Sequence, residues 1–146
     1  MVKFPCIFLL ASFCAAAVFA SDTCTQGSEY EPSLCPLKIT RINRILIEVN
    51  GEKSPAESNP AITCSGFRLT EHQVRRYFLN AKSVSENDDH YTLDWSPCYA
   101  SGKIFFSDGR HGIWSIDQFR RGSLVMSNGE KSLQFCPTCK FKPFMW

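Results

Sequence analysis

The stretch from Gly102 to Cys136, "GKIFFSDGRHGIWSIDQFRRGSLVMSNGEKSLQFC", decides how this chain folds. Its apolar residues fall at every second position: Ile104 with Phe106, Trp114 with Ile116, and Leu133 with Phe135. That period belongs to strands with one packed and one wetted face. Asp108-Gly109 and Asn128-Gly129 carry the dipeptides of tight hairpin turns, where Gly accepts a positive φ without steric cost. "GKIFFSD", "GIWSIDQF", "SLVMS" and "KSLQFC" therefore read as consecutive strands, with "YTLDW" as a short one before them. They predict a four- to five-stranded antiparallel meander.

Upstream the period changes. In "FRLTEHQVRRYFLNAK", residues 67–82, Val74, Tyr77, Phe78 and Ala81 fall at i, i+3, i+4 and i+7, one face of a helix. Thr70 is placed to cap it, Gln73 completes a capping box, and Leu69 and Val74 occupy the staple positions. The predicted helix runs from about Glu71 to Lys82. One helix laid on one face of the sheet buries both apolar surfaces, so the expected class is α+β. "RILIEVN", residues 44–50, alternates as a further strand, and the two-proline stretch "NGEKSPAESNPA", residues 50–61, reads as a surface loop.

The N-terminus sets the compartment. Lys3 precedes an apolar run from Ile7 to Phe19, and Val18-Phe19-Ala20 ends in a small residue. Residues 1–20 thus read as a secretory signal cut after Ala20. The run falls short of the roughly 18 to 20 residues that span a bilayer. The mature protein is expected to be periplasmic or secreted, without a membrane span. Removing Lys3 from a net charge of +2 leaves +1, which demands no nucleic acid or other polyanion as partner.

Export changes the meaning of the cysteines. Cys6 and Cys14 leave with the signal, and Cys24, Cys35, Cys64, Cys98, Cys136 and Cys139 remain. An even count in an oxidising compartment predicts a disulfide-stapled fold. Cys24 with Cys35 would close residues 21–36 into an extension ahead of a single α+β domain, residues 37–146. Cys136-Pro-Thr-Cys139 follows a strand, whereas a redox-active dithiol needs its first cysteine at a helix N-terminus. A structural bridge is the expected reading, within the pair or from one member to Cys98; the spacing leaves both open. No second Cys-x-x-Cys or paired His accompanies it, so neither metal nor cofactor is expected.

"FRLTEHQVRRYF", "LDWSPCYASGKIFFSDGRHGIWSI" and the late Cys-x-x-Cys together resemble small exported bacterial proteins, cysteine-containing and periplasmic. The resemblance covers roughly residues 64–139. It implies the compartment and the fold, and it brings no activity with it.

The chemistry-bearing residues are few. Asp88, Asp89 and His90, with Asp94 nearby, could bind a cation or move a proton, but a polar connection between elements needs the same residues. His72 and His111 have no partner at a motif spacing, and no nucleophile motif is present. Arg75, Arg76, Arg110, Arg120 and Arg121 sit on the helix and in two turns, where they form either one basic patch or dispersed charge. The tail "KFKPFMW" brings Phe141, Phe144, Met145 and Trp146, either folded onto the sheet or offered to a partner. The resulting expectation is a non-catalytic protein-binding module of the periplasm. Its most specific form is an inhibitor or immunity protein that blocks a secreted enzyme, for example one degrading the cell wall. Arg110, Arg120, Arg121 and Trp146 are the expected anchors. The alternatives are a thiol-disulfide enzyme using Cys136 and Cys139, a hydrolase built on the Asp88–Asp94 region, or a structural envelope component.

Overall fold

The computed structural model describes residues 23–146. The expected signal segment, residues 1–20, lies outside the described residues. The elements run β1 (Cys35–Pro36), β2 (Ile42–Lys53), α1 (Glu71–Asn80), β3 (Lys82–Val84) and α2 (Glu86–Tyr91). They continue with β4 (Cys98–Phe106), β5 (His111–Asp117), β6 (Arg121–Met126) and β7 (Lys131–Phe135). All strands join one sheet in the order β1-β3-β7-β6-β5-β4-β2, and every neighbouring pair is antiparallel.

The meander of β4 to β7 follows the hairpin chemistry, with Gly109 at φ +87 and Gly129 at φ +88 in the turns. The α+β class and the disulfide staples hold, but the sheet has seven strands and carries two short helices. The additions have local causes. Helix α1 stops at Asn80, short of Lys82, because Lys82, Ser83 and Val84 pair with Phe135, Gln134 and Leu133 of β7. "SENDDH" is mostly helical: the Ser85 hydroxyl accepts the Asp88 N–H at 3.0 Å and starts α2, which ends at Tyr91. "YTLDW" is accordingly no strand. Strand β2 reaches Lys53, into the expected loop, by means of three register shifts against β4.

Thr70 caps α1 as the sequence predicts. The Gln73 N–H donates to its hydroxyl, and the Thr70 N–H donates to Oε1 of Gln73 at 2.8 Å. The helix buries Val74, Tyr77 and Phe78. Tyr77 reaches the sheet because residue 122 is Gly: a Cβ there would lie 2.5 Å from the phenol oxygen. The phenol donates to the Arg120 carbonyl at 3.1 Å. Phe144 is buried and meets Phe67 and Tyr77 at ring-centroid distances of 5.7 and 6.0 Å.

The phase of β7 is the reverse of the expected one. Gln134 is the fully buried residue, and Leu133 and Phe135 are half-buried on the other face. The register decides this: Leu133 pairs with Ser123 and Phe135 with Arg121. The Gln134 amide donates to Ser132 Oγ at 2.6 Å and to the Ser132 carbonyl at 3.0 Å, while its buried Oε1 meets no donor among the described residues.

Three disulfides join Cys24 to Cys35, Cys64 to Cys98, and Cys136 to Cys139. Strand β1 pairs with β3, which ties the Cys24–Cys35 loop to the sheet edge. The face of the sheet opposite α1 keeps a band of partly exposed residues: Phe105, Ile113 and Val125, beside a row of Ser101, Ser115 and Ser123 on adjacent strands. Among the described residues no helix is long and apolar enough to cross a membrane.

Candidate functional site

Two concavities flank the β5–β6 turn, and two consecutive arginines divide between them. The first is a cleft of about 380 Å³ on the face of the sheet away from α1. Tyr99, Ser115, Asp117 and Ser123 line it, Trp95 and Pro97 lie along one side, and Asp89 of α2 closes another. Arg121 enters this cleft and binds Asp89 bidentately: Nε to Oδ1 at 3.0 Å and Nη2 to Oδ2 at 2.6 Å. Both side chains are largely buried, at 19 and 14 % exposure, so neither charge is free.

Asp117 belongs to the same cleft and organises the turn. Its Oδ1 accepts the N–H groups of Phe119 at 2.8 Å and Arg121 at 3.1 Å, and its Oδ2 accepts that of Ser96 at 3.3 Å. Burial pushes its carboxyl up to about 7, against the opposing pull of these N–H donors and of Arg121.

The second concavity, also about 380 Å³, is a groove where the C-terminal tail passes the β5–β6 turn. Phe119, Phe135, Met145 and Trp146 line it around Arg120. Arg120 has φ 73, unusual for a residue with a Cβ. Its Nη1 donates to the Pro137 carbonyl at 3.0 Å, and its guanidinium lies 5.2 Å from the Phe135 ring centroid. Its Nε is buried and meets no acceptor among the described residues. Glu31 and Asp94 line the groove as well, yet neither forms an ion pair with it. Burial draws this guanidinium below its ordinary range.

The structure thus brings Arg120 and Trp146 together, sends Arg121 into the neighbouring cleft, and leaves Arg110 apart. Arg110 precedes β5 while Arg120 follows it, a separation of roughly 20 Å along a strand of this length. Arg110 is exposed and paired to Asp108 at 2.9 Å. Arg75 donates to the Ile42 carbonyl at 2.7 Å, and Arg76 stacks over Phe141 at 4.2 Å. The five arginines do not make one patch.

The acidic cluster is also taken apart. Asp88 caps α2 through Ser85 and accepts the Ser33 N–H at 3.3 Å, while Asp89 goes to Arg121. Among the described residues no three His, Cys, Asp or Glu side chains converge as metal ligands. All six cysteines of the predicted set are disulfide-bonded. The tail divides: Phe144 is core, whereas Met145 and Trp146 are 52 and 63 % exposed. Trp95, Asp117 and the paired Ser115 and Ser123 are the residues that sequence reasoning missed, and only the register could align them. No protein-family model, curated protein or solved structure matches the chain.

Proposed function

We propose that this is a non-catalytic protein-binding module of the bacterial cell envelope, and that its contact surface is the groove around Arg120 and Trp146. The observation that carries the reading is Arg120. Its guanidinium lines the groove with one hydrogen bond, to the Pro137 carbonyl, and no carboxylate paired to it among the described residues, so the groove-facing N–H groups that Pro137 does not use are open to an acceptor from a partner. The surroundings are those of a binding anchor: Trp, Met and Arg are enriched at interface centres, where a few residues supply most of the energy. Glu31 and Asp94 keep the groove from acting as a general anion trap. What fits is a partner with one carboxylate or carbonyl acceptor set in apolar surface. An inhibitor or immunity protein that blocks a secreted enzyme is the form favoured by the export signal and the three disulfides.

The test is crosslinking in the periplasm followed by identification of what is captured by the wild type and by three variants. Arg120→Ala and Trp146→Ala should each lose the same partner, and Arg110→Ala should keep it. Equal capture by all three variants would refute the groove as the contact surface.

A further inference from the structure

The cleft beside the groove has a different chemistry, and it carries a separate inference. Its strongest charges cancel internally, because Asp89 and Arg121 bind each other bidentately. Of the other charge-bearing groups on its lining, Asp117 is buried and taken up by three backbone N–H groups, and Lys131 is exposed to water that screens it. A cleft of this kind has little net field with which to hold an ion. It does have unused polar capacity. Ser115 and Ser123 face each other across β5 and β6, and neither hydroxyl has a hydrogen-bond partner among the described residues. Carboxylate oxygens each accept more than one bond, so Asp89 keeps lone pairs, and Arg121 keeps N–H groups that Asp89 does not use.

One apolar feature accompanies these groups. Trp95 lines the cleft and is 49 % exposed, in a segment with neither helix nor strand to place it there. Tyr99 adds a second ring on the floor. A half-exposed indole lining the same cleft as two free hydroxyls and a fixed carboxylate–guanidinium pair matches a ligand with one apolar C–H face and a rim of hydroxyls. The cleft volume of about 380 Å³ lies within the range of small-molecule sites.

We propose that this cleft is a second binding site, separate from the Arg120 groove, and that it takes a neutral saccharide of one or two pyranose rings. One ring stacks on Trp95. Its hydroxyls donate to Asp89 and exchange hydrogen bonds with Ser115, Ser123 and the spare N–H groups of Arg121. No bond is made or broken in this role.

The test is a titration of the mature protein followed by amide and indole N–H chemical shifts. Cellobiose and N,N′-diacetylchitobiose are the probes, with glucuronic acid and sulfate as charged comparators. Saturable shifts at Tyr99, Ser115, Ser123 and the Trp95 indole, in the millimolar range, are expected for at least one neutral probe. Trp95→Ala should weaken that binding about tenfold or more, a loss of at least 1.4 kcal/mol. Trp146→Ala should leave it unchanged, which separates this site from the groove. If Trp95→Ala loses its native spectrum, Ser123→Val, which removes a hydroxyl from a strand position suited to Val, takes its place. Absence of saturable shifts, shifts confined to the Arg120 groove, preference for the charged comparators, or unchanged binding in the variant would each overturn the proposal.

Discussion

Arg121 sets two nitrogens on the Asp89 carboxylate, at 3.0 and 2.6 Å. One residue earlier, Arg120 holds a single carbonyl at 3.0 Å and buries an Nε–H that meets no acceptor among the described residues. The two share the turn that Asp117 braces, and they line different concavities. An arginine whose charge and donors are matched within the chain works for the fold. An arginine held in strained backbone with a donor left over is the one that the proposed function assigns to a partner. On the proposed reading the comparison sets stability against recognition within one dipeptide, and substitutions can test the division by sign as well as by size.

The scale is set by the core common to both sites. Phe78 is 2 % exposed under α1, and Phe78→Ala should cost roughly 3–5 kcal/mol in denaturant unfolding. Values well under that range would mean that α1 is not the main cover of the sheet. Thr70→Ala, which removes the cap from the same helix, should cost about 1 kcal/mol.

Asp117 comes next, and its effect runs with pH. Its folded carboxyl is raised to about 7, against an ordinary value of 3.8. The folded protein therefore binds a proton that the unfolded chain has released between those values. Stability from this group is full below about 3.8, falls as pH rises towards 7, and is level above that. A shift of this size corresponds to something on the order of 4 kcal/mol. Asp117→Asn keeps one carbonyl acceptor for the turn and removes the charge. The difference between wild type and variant should therefore move against the wild type from pH 4 to 7. Parallel curves would show that the three N–H donors hold Asp117 ionised throughout.

Arg121→Ala breaks the matched half of the pair and strands Asp89, which is 14 % exposed, without its partner. Breaking a fully buried pair costs about 3–5 kcal/mol, and residual hydration at these exposures reduces this to about 2–3 kcal/mol. A double-mutant cycle with Asp89→Ala should recover coupling of similar size. Independent effects would remove Arg121 from the structural side of the comparison.

How much of this was legible in the sequence follows from the range of each signal. The meander and the capped helix are written in neighbours two to four residues apart, and Asp108-Gly109, Thr70 and Gln73 act over that distance. Strands β1 and β3 are too short to show a period: Lys82–Val84 is a strand because β7 lies beside it. Gln134 inverts the phase of β7 for the same reason, since pairing with β6 outweighs the apolar alternation of Leu133 and Phe135. Arg120 and Trp146 could be named as anchors, but their meeting depends on the tail returning, with the Met145 N–H donating to the Gln118 carbonyl at 2.9 Å. The Asp89–Arg121 pair spans 32 positions, and it joins residues that a linear reading assigns to rival hypotheses.

The smallest effect carries the opposite sign. Arg120→Gly places the residue that tolerates positive φ at φ 73 and deletes the buried Nε–H along with the side chain. Relief of the strain is worth of order 1 kcal/mol, and the unmet donor costs about as much. Against these stand the bond to the Pro137 carbonyl, the contact with Phe135, and the entropy that Gly adds to the unfolded chain. The backbone of the turn is held independently of the side chain. The Arg120 N–H donates to the Asp117 carbonyl at 3.1 Å, and the Arg120 carbonyl accepts from the Cys136 N–H at 3.1 Å. The balance favours a gain of about 1 kcal/mol relative to Arg120→Ala, which keeps the strain. Arg120→Gly should therefore melt higher than Arg120→Ala and no lower than the wild type, while both variants lose the partner. A variant that loses stability and the partner together would place Arg120 beside Arg121, as a residue kept for the fold.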